Sequence, residues 1–177
     1  MKSPSRALIN FCASILLPLL FSCSTPKKAQ QLWSPVDATD SQYTGNATIP
    51  DAYDVYRLQV TQITDALRTA GTTRDEARVV ELPGPTGPMR FVIWKSGVVS
   101  AELAAKFPSL VAYEGVATDS DVIKLRMETP QAGLQVMVME RSEQWFISPF
   151  DPENDIYMVY KKSDLTVPNT FWEGKNE

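Results

Sequence analysis

Apolar and polar residues alternate along most of the second half of the chain, with the period of two that a half-buried β-strand requires. Ile123, Leu125 and Met127 alternate with charged neighbours, so one face of their strand is expected to meet a core and the other face to meet water. Turn-forming residues separate five runs of this kind and bound predicted strands at residues 109–117, 122–129, 134–141, 144–149 and 156–162. The pattern therefore predicts an antiparallel meander.

The chain before the meander combines a strand and a short helix. Tyr56, Leu58 and Val60 alternate with polar residues, which favours a strand, although the apolar residues of this region also fit one face of a helix. We predict a strand followed by a helix that has Thr61 as its N-cap and Gly71 just past its end. The buried side of this helix is expected to consist of Ile63, Ala66, Leu67 and Ala70.

A segment rich in proline and glycine lies between two strand-forming runs in EARVVELPGPTGPMRFVIW, residues 76–94. Because proline cannot donate to a sheet ladder, this segment predicts a hairpin with a loop of about six residues. A second short helix is expected between Ser100, as its N-cap, and Pro108, which ends it. Together these elements predict an α+β fold, mainly an antiparallel sheet of meander and hairpins that is sandwich- or barrel-like, with one or two short helices.

The N-terminal residues have the pattern of an export signal. Lys2 and Arg6 introduce an apolar stretch, residues 7–21, that is shorter than the roughly 20 residues a membrane-spanning helix needs. The stretch runs into Leu-Phe-Ser-Cys, which resembles the lipobox of bacterial lipoproteins. The resemblance implies that residues 1–22 are a signal peptide and that Cys23 becomes the acylated first residue of the mature chain. An ordinary secretory signal with an incidental cysteine is the alternative.

The segment after the cysteine is predicted to be a tether. Residues 23–52 would comprise the lipidated cysteine and a disordered linker, because polar residues dominate the segment and it shows neither a helical nor a strand period. Trp33 and Tyr43 are its only aromatic residues. For Trp33 two alternatives stay open, contact with the lipid headgroups or packing back onto the folded domain.

The length of 177 residues and the apolar content of 44% suit one domain, predicted at residues 53–165. A C-terminal tail, residues 166–177, follows this domain. It carries Phe171 and Trp172, and buried aromatic residues often anchor interfaces. These two residues are expected to dock either on the domain itself or on a partner.

Charge and composition exclude several functions. A formal net charge of -4 provides no basic surface for nucleic acid, so no nucleic-acid partner is expected. The chain has no histidine, which excludes Ser-His-Asp and Cys-His catalysis and histidine-containing zinc sites. Cys12 lies in the predicted signal peptide, so the mature chain would have no intramolecular disulfide.

Lys162 and Ser163 are neighbours that a strand would direct to opposite faces, so they are expected to be solvated. We therefore predict a protein that is not an enzyme and has no cofactor.

One acidic loop is the main candidate for a metal site. Asp151, Glu153 and Asp155 alternate as at the start of an EF-hand loop, but Ile156 replaces the required glycine and Lys162 replaces the bidentate glutamate. This departure excludes an EF-hand and leaves either a looser calcium site or an acidic loop, of which we favour the loop. Four methionines are expected to fill the core more readily than to form a soft-metal surface: Met127, Met137, Met139 and Met158. No metal site is predicted.

A longer resemblance covers about residues 53–165. Its features are the ELAAKFP turn, the YEG strand end, the hairpin through Gly133, the WFISP strand and the paired tyrosines of YMVYKKSDL. In these features the chain resembles the propeptide region that precedes the catalytic domain of bacterial reprolysin-type zinc metalloproteases. Such proteases carry His-Glu-x-x-His-x-x-Gly-x-x-His, and this chain departs from them because it contains no histidine. The resemblance implies a prodomain-like domain without a catalytic half.

These observations predict a lipid-anchored, non-catalytic protein of the bacterial cell envelope. By resemblance to other lipoproteins, Ser24 is compatible with the outer membrane, and a periplasm-facing position is preferred. The expected function is protein binding, with the domain shielding or assisting a reprolysin-type metalloprotease. The alternative is a general envelope lipoprotein that acts as a scaffold or as a small-ligand receptor.

Overall fold

Nine antiparallel strands form one sheet in the part of the chain that the computed structural model describes, residues 32–40, 42–44, 48–129 and 133–166. The strands are β1 Trp33–Val36, β2 Asp54–Leu58, β3 Arg78–Gly84, β4 Gly87–Lys95, β5 Ala112–Ala117, β6 Lys124–Glu128, β7 Gln135–Met139, β8 Gln144–Asp151 and β9 Ile156–Lys161. Two α-helices accompany them, α1 Val60–Arg68 and α2 Ala101–Lys106. The predicted α+β class with a mainly antiparallel, barrel-like sheet is confirmed.

Strand order makes the sheet a nearly closed barrel. Strands β3 to β9 pair consecutively, as a meander should, and β2 and β1 then add to the free side of β9. The two edges of the sheet are therefore β1 and β3. Across this junction, which we call the seam, the Trp33 indole N–H donates a hydrogen bond of 3.1 Å to the backbone carbonyl oxygen of Glu81. A side chain thus joins the two edges of the barrel.

Apolar side chains fill the barrel. In β6, Leu125 and Met127 point inward while Lys124, Arg126 and Glu128 are exposed, which is the predicted alternation. The other strands contribute further buried residues to the same cluster, among them Leu82, Phe91, Ile93, Val138, Trp145 and Ile147. The barrel interior is consequently a hydrophobic core.

Helix α1 packs on this core through one apolar face. Ile63 and Leu67 are buried at a spacing of four residues, and Ala70 is buried just beyond the helix. The predicted strand followed by a helix is confirmed here. The predicted cap is wrong, because the helix begins at Val60 and the N-cap position is held by Gln59, with Thr61 already inside the first turn.

Helix α2 has the predicted cap. The Ser100 hydroxyl accepts a hydrogen bond of 3.2 Å from the backbone N–H of Leu103, which satisfies one of the free donors at the helix start. The helix ends at Lys106, shortly before Pro108. None of its residues is buried.

The β3–β4 hairpin is tighter than predicted. Pro85 and Thr86 alone connect the strands, and Pro83 lies directly opposite Pro88 in the register. Neither proline has an N–H, so this pairing fits only a position where the ladder requires no hydrogen bond from them. Gly87 adopts a φ of +132°, which side-chain-bearing residues rarely adopt, and it lets the chain reverse within two residues. The prediction of a loop of about six residues is therefore wrong.

The predicted tether contributes to the fold. Within residues 23–52, β1 pairs with β2, and Trp33 is only 6% exposed, with its ring 5.6 Å from that of Tyr157 in an edge-to-face contact. Tyr43 packs against Phe150 on the outer face of the sheet, with ring centroids 5.3 Å apart. The prediction of disorder is thus wrong for the described residues of this segment. A strand of four residues that contains a proline has too few alternating positions to be visible in sequence.

Candidate functional site

All three residues predicted as sites of lipidation or partner contact lie outside the described residues. They are Cys23, the predicted site of lipidation, and the aromatic pair Phe171 and Trp172, the predicted partner contact. Among the residues that the structure describes, no helix has the length and apolar character needed to cross a bilayer.

The acidic candidate forms a tight connection between β8 and β9. One carboxylate oxygen of Asp151 accepts a hydrogen bond of 2.7 Å from the Asn154 side-chain amide, and Asp155 adopts a left-handed backbone conformation with a φ of 56°. Within the described ranges, no group of three or more carboxylate, histidine or cysteine side chains is arranged to hold a metal ion.

Lys162 and Ser163, which were expected to be solvated, lie in a short 3-10 turn, Lys162–Asp164. The strand predicted at residues 156–162 therefore ends at Lys161, one residue earlier than expected. The Ser163 hydroxyl donates a hydrogen bond of 3.1 Å to one carboxylate oxygen of Glu143. The other carboxylate oxygen of Glu143 lies 3.6 Å from the ammonium of the neighbouring Lys161. The pair thus belongs to a polar surface at the side of β8.

The seam contains a cavity of about 170 Å³. The β1–β2 side of the seam contributes Trp33, Pro35 and Tyr56, and the β3–β4 side contributes Glu81, Leu82, Pro83 and Pro88. Prolines are rigid and offer no N–H group, so the walls are preformed and poor in hydrogen-bond donors. The cavity is consequently a fixed, mainly apolar depression between two sheet edges.

Tyr56 is a polar residue in the lining of this cavity, together with Glu81. Desolvation by the surrounding protein raises the pKa of the Tyr56 hydroxyl, and the negative charge of Asp54 raises it further. The hydroxyl therefore stays protonated at neutral pH.

The size of the seam cavity limits what it can hold. Pockets for drug-sized molecules usually measure about 300–1,000 Å³, whereas about 170 Å³ suits a single apolar side chain. Both edge strands carry a proline, Pro35 in β1 and Pro83 in β3, which disfavours the addition of a further strand. The geometry thus favours an anchor side chain from a partner surface over an added strand.

A second groove lies at the end of the barrel that carries both helices. We call this the helical end; it comprises α1, the connection of residues 96–111 that contains α2, and the adjoining ends of β2 and β4. The groove measures about 400 Å³ and runs between α1 and the start of β5. Its lining includes Leu67, Val111 and Tyr113, with Arg68 and Lys95 as its cationic residues. Desolvation raises the pKa of the Tyr113 hydroxyl.

Sequence analysis missed the seam cavity because its lining comes from segments far apart in the chain. Trp33 and Glu81 are 48 positions apart, and the sequence pattern around each describes only its own strand. The one available signal was an isolated tryptophan in an otherwise polar segment.

Comparisons of the chain with protein-family models, with curated proteins and with solved structures found no match.

Proposed function

We propose that this protein is a lipid-anchored, non-catalytic module of the bacterial cell envelope that acts by binding a partner protein. The seam cavity is the observation that carries the binding role. It is preformed, mainly apolar and sized for one side chain, which are the properties of pockets that receive the anchor residue of a protein interface.

The packing of the barrel supports a surface site over an internal one. Large side chains such as Phe91 and Trp145 are almost completely buried in the interior, which leaves the seam and the barrel ends as binding surfaces. A barrel that encloses a ligand would instead need an open centre.

The sequence resemblance suggests the class of partner. We propose a reprolysin-type zinc metalloprotease, which the domain would shield or assist by covering part of its surface. The mode would be steric, because the chain has no histidine and its cysteines, Cys12 and Cys23, are assigned to the signal peptide and to the lipid.

The lipid anchor is tested at Cys23. Cys23→Ser should abolish incorporation of a labelled fatty acid and leave the precursor unprocessed or the protein released, because the proposed anchor is attached through this sulfur. Metabolic labelling followed by membrane fractionation measures both effects. Label that persists on the variant would contradict the assignment.

The binding site is tested with a matched pair of tyrosine variants. Tyr56→Ala removes a wall of the seam cavity, whereas Tyr160→Ala removes a tyrosine that stacks on Phe146 outside the seam. If an anchor residue occupies the cavity, Tyr56→Ala should weaken binding about tenfold or more and Tyr160→Ala should not.

The measurement is a titration of each variant with the catalytic domain of a reprolysin-type protease from the same organism, together with a peptidase assay. If the two variants bind the protease with equal affinity, the seam is not part of the interface. Failure to bind any such protease would instead favour the scaffold or small-ligand receptor alternative, for which the groove at the helical end has a suitable size.

A further inference from the structure

The chain enters the barrel at the helical end. Leu32 is followed by Trp33, which pairs with Leu58 at the end of β2. The backbone carbonyl of Leu32 accepts a hydrogen bond of 2.8 Å from the N–H of Gln59, the residue immediately before α1. Everything attached to the chain before residue 32 is therefore attached to this end.

The proposed anchor lies within a short reach of that entry point. Only ten backbone steps separate Cys23 from Trp33, and they span at most about 36 Å even when fully extended. If Cys23 carries the lipid, the point at which the chain enters the helical end stays within about this distance of the bilayer.

The same end exposes apolar side chains that the core does not use. Val98 is 75% exposed, Leu103 is 40% exposed and Phe107 is 48% exposed, and all three belong to the single connection between β4 and β5. Leu103 and Phe107 are four residues apart around α2, so they lie on one side of the helix turn. We call Val98, Leu103 and Phe107 the apolar rim.

The connection that carries the rim is joined to the helical end at Lys95. The N–H of Lys95, the last residue of β4, donates a hydrogen bond of 2.8 Å to the carbonyl of Gly71, just after α1. The Lys95 ammonium also donates to the carbonyl of Arg68 at 3.4 Å. The connection that carries the rim therefore starts beside the C-terminal end of α1.

Cationic groups accompany the rim. The Lys106 ammonium lies 5.6 Å from the centre of the Phe107 ring, and Arg68 and Lys95 line the adjacent groove. Acidic residues are also present, since Glu102 is in α2 and Asp65 pairs with Arg68 at 3.5 Å. Contact with a membrane would thus depend mainly on the apolar side chains, with a smaller contribution from anionic headgroups.

We propose that the helical end rests on the bilayer in which the chain is anchored, with the apolar rim inserted into the headgroup region. The proposal rests on the lipid anchor at Cys23. A rim of three side chains binds lipid weakly by itself, but the anchor holds it at a high local concentration, so that the contact forms within one molecule. Docking sets the orientation of the barrel and directs the β3–β4 turn away from the membrane.

The test uses the full mature, lipidated chain in liposomes of phosphatidylethanolamine and phosphatidylglycerol. One variant carries a fluorophore on Leu103→Cys and the matched control carries it on Val122→Cys. Val122 is 52% exposed in the β5–β6 connection, which joins the ends of these strands that lie away from the apolar rim. Both positions are exposed, so labelling leaves the core intact.

Flotation of the liposomes first reports whether the anchor holds, and loss of flotation would contradict the proposed anchor at Cys23. For protein that floats, lipids carrying a quencher should quench the label at position 103 at least about twofold more than the label at position 122. Adding Phe107→Ser to the Leu103→Cys chain should reduce this difference.

Equal quenching at the two positions in floating protein would overturn the docking proposal and leave the anchor standing. A second result would also overturn the proposal: the label at position 103 is protected from aqueous iodide but is not quenched by the lipids. In that case another protein or a second copy of the chain would cover the rim.

Discussion

Each of the three described tryptophans donates its indole N–H to an oxygen, but burial gives the three residues different roles. Trp33 donates to a backbone carbonyl across the seam, Trp94 donates to a carboxylate oxygen of Glu114 at 2.8 Å, and Trp145 donates to one of Glu140 at 3.1 Å. Trp145 is 1% exposed, whereas Trp94 is half-buried and its bond lies at the surface. The same polar contact therefore accompanies very different amounts of buried apolar area.

This difference predicts unequal losses of stability. Trp145→Ala should lower the free energy of unfolding by about 3–5 kcal/mol, because it opens a cavity beside Phe91 and leaves the Glu140 carboxylate without its donor. Trp94→Ala is the matched control and should cost clearly less, since it also removes a bond to a glutamate but little core packing. Urea denaturation of both variants measures the two values. Similar losses would contradict a core role specific to Trp145.

At the scale of elements, close strand packing makes one glycine necessary. Gly115 is buried in the middle of β5, opposite Ile93 of β4. A Cβ atom at this position would lie 2.6 Å from the carbonyl oxygen of Val92 and 2.8 Å from a side-chain carbon of Ile93. Because one of these neighbours is backbone, the two strands could accept a side chain only by moving apart.

Gly115→Ala should therefore destabilise the protein by about 1–3 kcal/mol or more through overpacking. Gly97→Ala serves as the control, because a Cβ atom at Gly97 meets no other atom within 4 Å. Its effect should stay within about 0.5 kcal/mol. Thermal unfolding followed by circular dichroism compares the two variants, and an unchanged midpoint for Gly115→Ala would show that β4 and β5 tolerate separation.

At the scale of the whole molecule, closure of the barrel depends on a short strand that lies far in sequence from its partner across the seam. Strand β1 extends the sheet beyond β2 and brings Trp33 into the core next to Leu58 and Tyr157. Residues 42–44 then cover Phe150 on the outer face, where the N–H of Thr44 donates to the Phe150 carbonyl at 3.1 Å. The segment before β2 is thus part of the folded unit.

A pair of truncated chains tests this role. A chain that begins at Leu32 retains β1, whereas a chain that begins at Thr48 lacks β1 and the cover over Phe150. The shorter chain should be less stable by at least about 3 kcal/mol, the loss expected when a buried tryptophan is removed. Urea unfolding measures the difference. Equal midpoints would restore the interpretation of residues 32–47 as a tether.

The sequence by itself determined the α+β class, the strand and helix before the meander, the five strands of the meander and the Ser100 cap of the second helix. Each depends on short-range order: alternation within one strand, the apolar face of one helix, or a hydroxyl three residues from the N–H that it binds. Such patterns are complete within a few residues, so no distant contact was needed to recognise them. The proposal of Cys23 as the lipid anchor also depends only on its immediate neighbours, and it stays a prediction.

The tertiary structure alone decided the membership of Trp33 in the core, the pairing of Pro83 with Pro88 and the existence of the seam cavity. Four residues at β1 carry too little apolar pattern to predict a strand, and they are ordered by contacts with β2 and with Glu81. Pro83 fits because β3 has a partner on only one side, and Pro88 fits because β5 pairs with β4 only from Phe91 to Lys95; no local pattern can indicate either. The cavity forms where two edges distant in sequence meet, and closure of the barrel brings them together.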